Sequence, residues 1–134
     1  MYKRSLILLV FFGSVLLFQC GPTDSYDEYD YAVLAYVEYF NVPDSSSQQI
    51  VQLTLRGSFG ESTAFHFDRI NVVRTDSLFR VAAWGREVYR SGAQYPSQHV
   101  GLDTVLDLAT PLKGLHYVDV VAAQGTLRDS TLVY

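Results

Sequence analysis

Leu112-Lys113-Gly114-Leu115-His116-Tyr117-Val118-Asp119-Val120-Val121-Ala122-Ala123-Gln124-Gly125, running into Thr126–Tyr134, is the stretch that decides the fold. Gly114, His116, Val118, Val120 and Ala122 recur at every second position. A period of two places such residues on one face of a β-strand. Ala123-Gln124-Gly125 supplies a turn, and Thr126–Tyr134 supplies a second strand. The segment therefore predicts a hairpin.

The same residues resemble the closing hairpin of bacterial immunoglobulin-like and fibronectin-type-III-like domains. Those read Leu-x-x-Gly-x-Tyr/His-x-Val-x-Val-x-Ala, then a turn with Gly, then the last strand. Gly114, His116, Val118, Val120, Ala122 and Gly125 fall on that pattern over about 20 residues. The resemblance implies an Ig-like sandwich and says nothing of activity. Ala123-Gln124-Gly125 stands where most members carry a polar Asp-Gly turn. His116 is expected at the corner where its strand begins, hydrogen-bonded locally.

Working back from the hairpin, short strands recur at roughly ten-residue spacing, which independently suggests a sandwich. Gln49–Phe59 alternates cleanly, with Val51, Leu53, Leu55, Gly57 and Phe59 on one face. Thr63–Arg74 puts Phe65 and Phe67 on one face, then shifts period near Asp68-Arg69, the mark of a bulge. Ser77–Trp84 reads as a strand ended by Gly85, Glu87–Tyr89 as a short piece, and Arg90–Gly101 as the longest irregular stretch. Asp103–Leu108 returns to strand. Tyr31–Val42 is apolar and aromatic, and its β-branched content favours one strand with Tyr31, Val33, Ala35, Val37 and Tyr39 on one face. Pro43-Asp44-Ser45-Ser46-Ser47 breaks the chain.

The N-terminus carries a different signal. Lys3 and Arg4 precede an apolar run that ends at Gln19-Cys20-Gly21-Pro22. A positive start and a 7–15-residue apolar segment make a secretion signal, too short for the roughly 20 residues that span a bilayer. Leu17-Phe18-Gln19-Cys20 resembles the lipobox of bacterial lipoproteins, although Phe18 and Gln19 stand where that family prefers small residues. The resemblance implies cleavage before Cys20, diacylglycerol on its thiol and acylation of the new amine. Gly21 in the following position implies the outer membrane. Cys20 is the only cysteine, so it closes no disulfide within the chain. The alternative is an uncleaved signal-anchor.

Cleavage leaves 115 of the 134 residues, with eight basic against fourteen acidic side chains, a net charge of −6. One domain fits that length. An acidic body argues against a nucleic-acid partner. Gly21–Asp30 contains Asp24, Asp27, Glu28 and Asp30 and no aliphatic residue, so it reads as a flexible acidic tether. It resembles the acidic stretch after the Cys in surface lipoproteins of the Bacteroidota. The spacing of its acids matches no calcium loop.

Little in the domain carries chemistry. His66, His99 and His116 have no zinc-ligand spacing, and no Gly-x-Ser-x-Gly elbow is present. One constellation stands out: Trp84, Tyr89 and Tyr95 with Arg86 and Arg90 among them. Exposed aromatic rings flanked by hydrogen-bonding groups suit a glycan face, and Trp, Tyr and Arg dominate protein-binding hot spots. The plain alternative is that Trp84 belongs to the core and the tyrosines cover sheet edges.

These readings divide the chain into a signal peptide over 1–19, a lipidated Cys20 with acidic tether over 20–30, and a single antiparallel Ig-like β-sandwich over 31–134. The expected function is a non-catalytic binding or structural module, membrane-held through its N-terminal lipid, with a protein or glycan partner and no cofactor or metal. The alternatives are a glycan-binding accessory lipoprotein of a surface uptake system and, with no motif behind it, a hydrolase.

Overall fold

The computed structural model describes residues 27–134. The signal segment, Cys20 and the tether up to residue 26 lie outside the described residues. The described chain is all β. Its strands are β1 (Glu28–Leu34), β2 (Tyr36–Asn41), β3 (Ser45–Ser46), β4 (Ile50–Ser62), β5 (Phe65–Thr75), β6 (Leu78–Arg90), β7 (Ser97–Ala109), β8 (Gly114–Ala122) and β9 (Gly125–Val133).

Two sheets pack as a small sandwich. The smaller has the order β2-β4-β7, all antiparallel. The larger is organised around β6. One edge of β6 pairs antiparallel with β5. Its other edge is shared: Leu78–Ala82 pair parallel with β8, and Trp84–Arg90 pair antiparallel with β1. The β8–β9 hairpin and then β3, parallel to β9, complete that sheet. The expected sandwich is observed, and two of its pairings run parallel.

Alternation builds the core. Val51, Leu53, Leu55 and Phe59 of β4 meet Phe79, Val81 and Ala83 of β6 and Val118, Val120 and Ala122 of β8. Phe79, Leu53 and Leu55 are fully buried. Each such side chain contributes about 1.5–3 kcal/mol of transfer free energy.

Tyr31–Val42 is not one strand. The backbone of Ala35 still bonds to the larger sheet, with its N–H donating to the Ala83 carbonyl at 3.0 Å and its carbonyl accepting from Ala123 N–H at 2.9 Å. The chain then crosses to the smaller sheet as β2. A bulge between Val37 and Tyr39 ends the expected common face and leaves Tyr39 exposed. The Gln124 carboxamide pairs with both backbone groups of Val37, standing in for a neighbouring strand at that edge.

Other boundaries also differ from the sequence reading. Gly85 does not end a strand; it lies inside β6, on its inward face. A Cβ there would sit 2.6 Å from the Phe59 ring and 2.7 Å from the His66 carbonyl, so close approach demands glycine. Ser97–Gly101 belong to β7 rather than to an irregular loop. Their polar side chains lie on an exposed edge strand, where no buried face imposes alternation. Glu28–Asp30 are paired in β1, so the last residues of the acidic stretch are part of the sheet. The bulge expected near Asp68-Arg69 is present between Phe67 and Arg69.

The sandwich has two distinct ends. At the upper end lie the start of β1, the end of β6 and the 91–96 loop, where Ser91 N–H donates to the Asp27 carbonyl at 3.0 Å. At the lower end lie the starts of β4 and β8, the end of β9 and the 43–49 loop.

Candidate functional site

The continuous β1–β6 register decides which candidate side chains share a face. Tyr29 stands opposite Tyr89, Tyr31 opposite Glu87 and Val33 opposite Gly85. Directly opposed residues in an antiparallel pair project to the same side. Tyr29, Tyr31 and Tyr89 therefore lie on the side of Gly85, which is the core side. The smaller sheet does not cover them: they are 46%, 56% and 46% exposed.

The rings run in series. Tyr31 and Tyr29 have centroids 6.0 Å apart at an interplanar angle of 7°. Tyr29 and Tyr89 follow at 6.2 Å, and Tyr89 and Tyr95 at 5.6 Å. Tyr95 reaches back from the loop, its hydroxyl accepting from Arg90 N–H at 2.5 Å. The result is a ledge of four tyrosines along the upper end. Tyr89 and Tyr95 were legible as candidates. Tyr29 and Tyr31 were not, because Tyr29 sits in a run of acids that reads as tether and Tyr31 shares its period with Val33 and Val37 as one strand face.

Trp84, Arg86 and Arg90 project to the opposite, outer side of the larger sheet. The proposed constellation is thus divided between two faces. Trp84 is half-buried under the Arg69 guanidinium, 5.8 Å from the ring centroid. Arg86 bonds the Asp30 carboxylate through both Nε and Nη2, and Arg90 Nε donates to Glu28 Oε1 at 3.1 Å. The Asp30 hydrogen bonds and charge push the Arg86 guanidinium above its ordinary value. Glu28 and Asp30 of β1 thus pair with two of the candidate arginines.

Further along that outer face, Asp119 of β8 is only 2% exposed. Arg128, its directly opposed partner on β9, donates from Nε to Oδ1 at 2.5 Å and from Nη2 to Oδ2 at 2.8 Å. Its guanidinium also lies 5.5 Å from the Tyr117 ring centroid. Hydrogen bonding and charge from Arg128, with the charge of Arg80, hold the Asp119 carboxyl below its ordinary value, against the opposing effect of burial.

The histidines lie apart. His66 is exposed. His99 Nδ1 lies 2.7 Å from Glu61 Oε1 on the surface. His116 is fully buried at the start of β8, as expected of a corner residue. Its Nδ1 must donate to the Gly114 carbonyl at 3.0 Å, so Nε2 accepts from the Thr110 hydroxyl, also at 3.0 Å. Thr110 Oγ1 in turn accepts from Leu112 N–H at 3.2 Å. Gly114, at φ +110°, holds a turn that an L side chain rarely adopts. This closed chain of donors and acceptors is structural.

Among the described residues no group of three or more His, Cys, Asp or Glu side chains is arranged to hold a metal ion. No protein-family model, curated protein or solved structure matches the chain.

Proposed function

We propose that the protein is a lipid-anchored, non-catalytic module of the bacterial cell envelope, held through Cys20 at the outer membrane, that binds an envelope partner on its tyrosine ledge. The ledge is the observation that carries this reading. Four amphipathic rings, three of them about half exposed, form a contiguous surface. Tyrosine is a favoured anchor of protein interfaces, offering a large contact area and a polar tip. The Ig-like relationship implied by the closing hairpin belongs to the same proposal. His116, Val118, Val120 and Ala122 are all buried on one face of β8, as that pattern requires.

A glycan partner, as in an accessory protein of a surface uptake system, is the second reading. It is favoured by the exposed ring area of Tyr29, Tyr31 and Tyr89 rather than by Trp84, whose ring is already covered by Arg69.

One experiment addresses both. A photoreactive phenylalanine analogue is placed at Tyr29, and at Val105 on the outer face of the smaller sheet as a control. Illumination of intact cells should give a discrete protein adduct from position 29 and none from 105. For the glycan reading, binding of the purified chain to a polysaccharide array should be lost in Tyr89→Ser. The absence of both a position-29 adduct and array binding would contradict a binding role for the ledge.

A further inference from the structure

The lower end of the sandwich holds a second feature, independent of the anchored-module reading. The loop between β2 and β4 arches over a cavity of about 280 Å³. Ser45, Ser47 and Gln48 supply hydroxyls and a carboxamide to its wall, and Ile50 supplies an apolar side, while the Gln52 carboxamide is held by Asp107 Oδ1 at 3.2 Å and the Ser46 hydroxyl by the Ile50 carbonyl. No lining side chain carries a charge. Thr131, on the inward face of β9, completes the lining; it is 1% exposed and its hydroxyl has no hydrogen-bond partner. Buried polar atoms in proteins nearly always have partners, so an orphan beside a cavity calls for a ligand or a water.

The rim is fixed before anything binds. Leu132 N–H donates to the Asp44 carbonyl at 3.0 Å, and Tyr134 N–H to the Ser46 carbonyl at 3.1 Å. Ser46 Oγ donates to the Ile50 carbonyl. On the far side, Thr110 N–H donates to the Gln49 carbonyl at 2.8 Å. Gln49 itself has φ +57°, a left-handed conformation costly for a non-glycine residue and kept only when its surroundings impose it.

The geometry points to a binding site for a single neutral, polyhydroxylated small molecule of the monosaccharide class. Hydroxyls and carboxamides both donate and accept, which matches sugar hydroxyls. Ile50 offers a surface for the C–H side of the ring. An uncharged lining gives an ion no counter-charge. A space of about 280 Å³ lies at the small limit of ligand pockets, which leaves room for no more than one ring.

The test uses the intact chain in zwitterionic detergent micelles free of sugar headgroups. D-glucose, D-galactose and N-acetyl-D-glucosamine are titrated separately while backbone amide resonances are followed. At least one sugar should give saturable shifts confined to residues 45–52 and 131, with a Kd on the order of millimolar. Thr131→Val, which keeps the shape and removes the hydroxyl, should weaken that affinity about fivefold. Gln48→Ala, on the exposed rim, should also weaken it. The proposal is overturned if none of the three sugars gives saturable shifts up to about 100 mM, or if both variants bind as wild type does. It is equally overturned if acetate, phosphate or methylammonium binds the cavity more tightly than every sugar.

Discussion

The imidazole of His116 uses both of its nitrogens, one on the Gly114 carbonyl and one on the Thr110 hydroxyl, and stacks 6.0 Å from Phe79. Removing it leaves the part-buried Gly114 carbonyl without this donor and the buried Thr110 hydroxyl without its His116 partner. His116→Leu should therefore destabilise the fold by about 1–3 kcal/mol, measured by thermal or urea denaturation. Thr110→Val in the His116→Leu background should cost much less than it does alone, since the two residues act through one bond. A full additive cost would contradict the network. The position of His116 was legible because period-two spacing puts it on the core face at a strand start. Its partner Thr110 was not, because the pairing crosses a turn whose geometry depends on the left-handed Gly114.

Strands declare themselves in sequence where one face is buried and fall silent where neither is. β4 was readable to the residue on its inward face, and the β5 bulge showed as a broken period. The first part of β7 and the first residues of β1 were not, because edge positions tolerate any polar side chain. The sheet switch at Ala35 was hidden for another reason. Both halves of Tyr31–Val42 are apolar, and nothing local distinguishes which sheet each half joins.

The β8–β9 hairpin carries its own prediction. Asp119 ionises at a lower pH in the folded protein than in the unfolded chain, whose aspartates titrate near 3.9. The stability contributed by its ionised form is thus fully present above the unfolded value and is lost as pH falls through the lowered folded value. The stability difference between wild type and Asp119→Asn, taken from urea denaturation, should be constant from about pH 5 to 7 and shrink on acidification below about pH 4. A difference unchanged down to about pH 2 would mean that the Arg128 pairing does not favour the carboxylate.

Over the whole molecule, the chain enters the described domain at the upper end, where Asp27 meets Ser91 and the tyrosine ledge begins. The Ser45–Gln52 cavity lies at the opposite end. Under the proposed anchorage, a tether of a few residues from Cys20 would keep the ledge toward the membrane and present the cavity away from it. The candidate surface was only half legible in the sequence for the same geometric reason: β1 and the end of β6 meet across more than 50 residues of chain, and no spacing rule reports that Tyr29 will face Tyr89.

The proposed location turns on Cys20, so the most direct measurement is made there. The full-length chain is expressed in a diderm bacterium with a fatty-acid probe, and wild type is compared with Cys20→Ala by intact mass and membrane fractionation. The account predicts a wild-type chain that begins at Cys20, carries the label and sediments with the outer membrane, and a Cys20→Ala chain that carries no label and leaves that fraction. An unlabelled wild-type chain that retains residues 1–19 would contradict it.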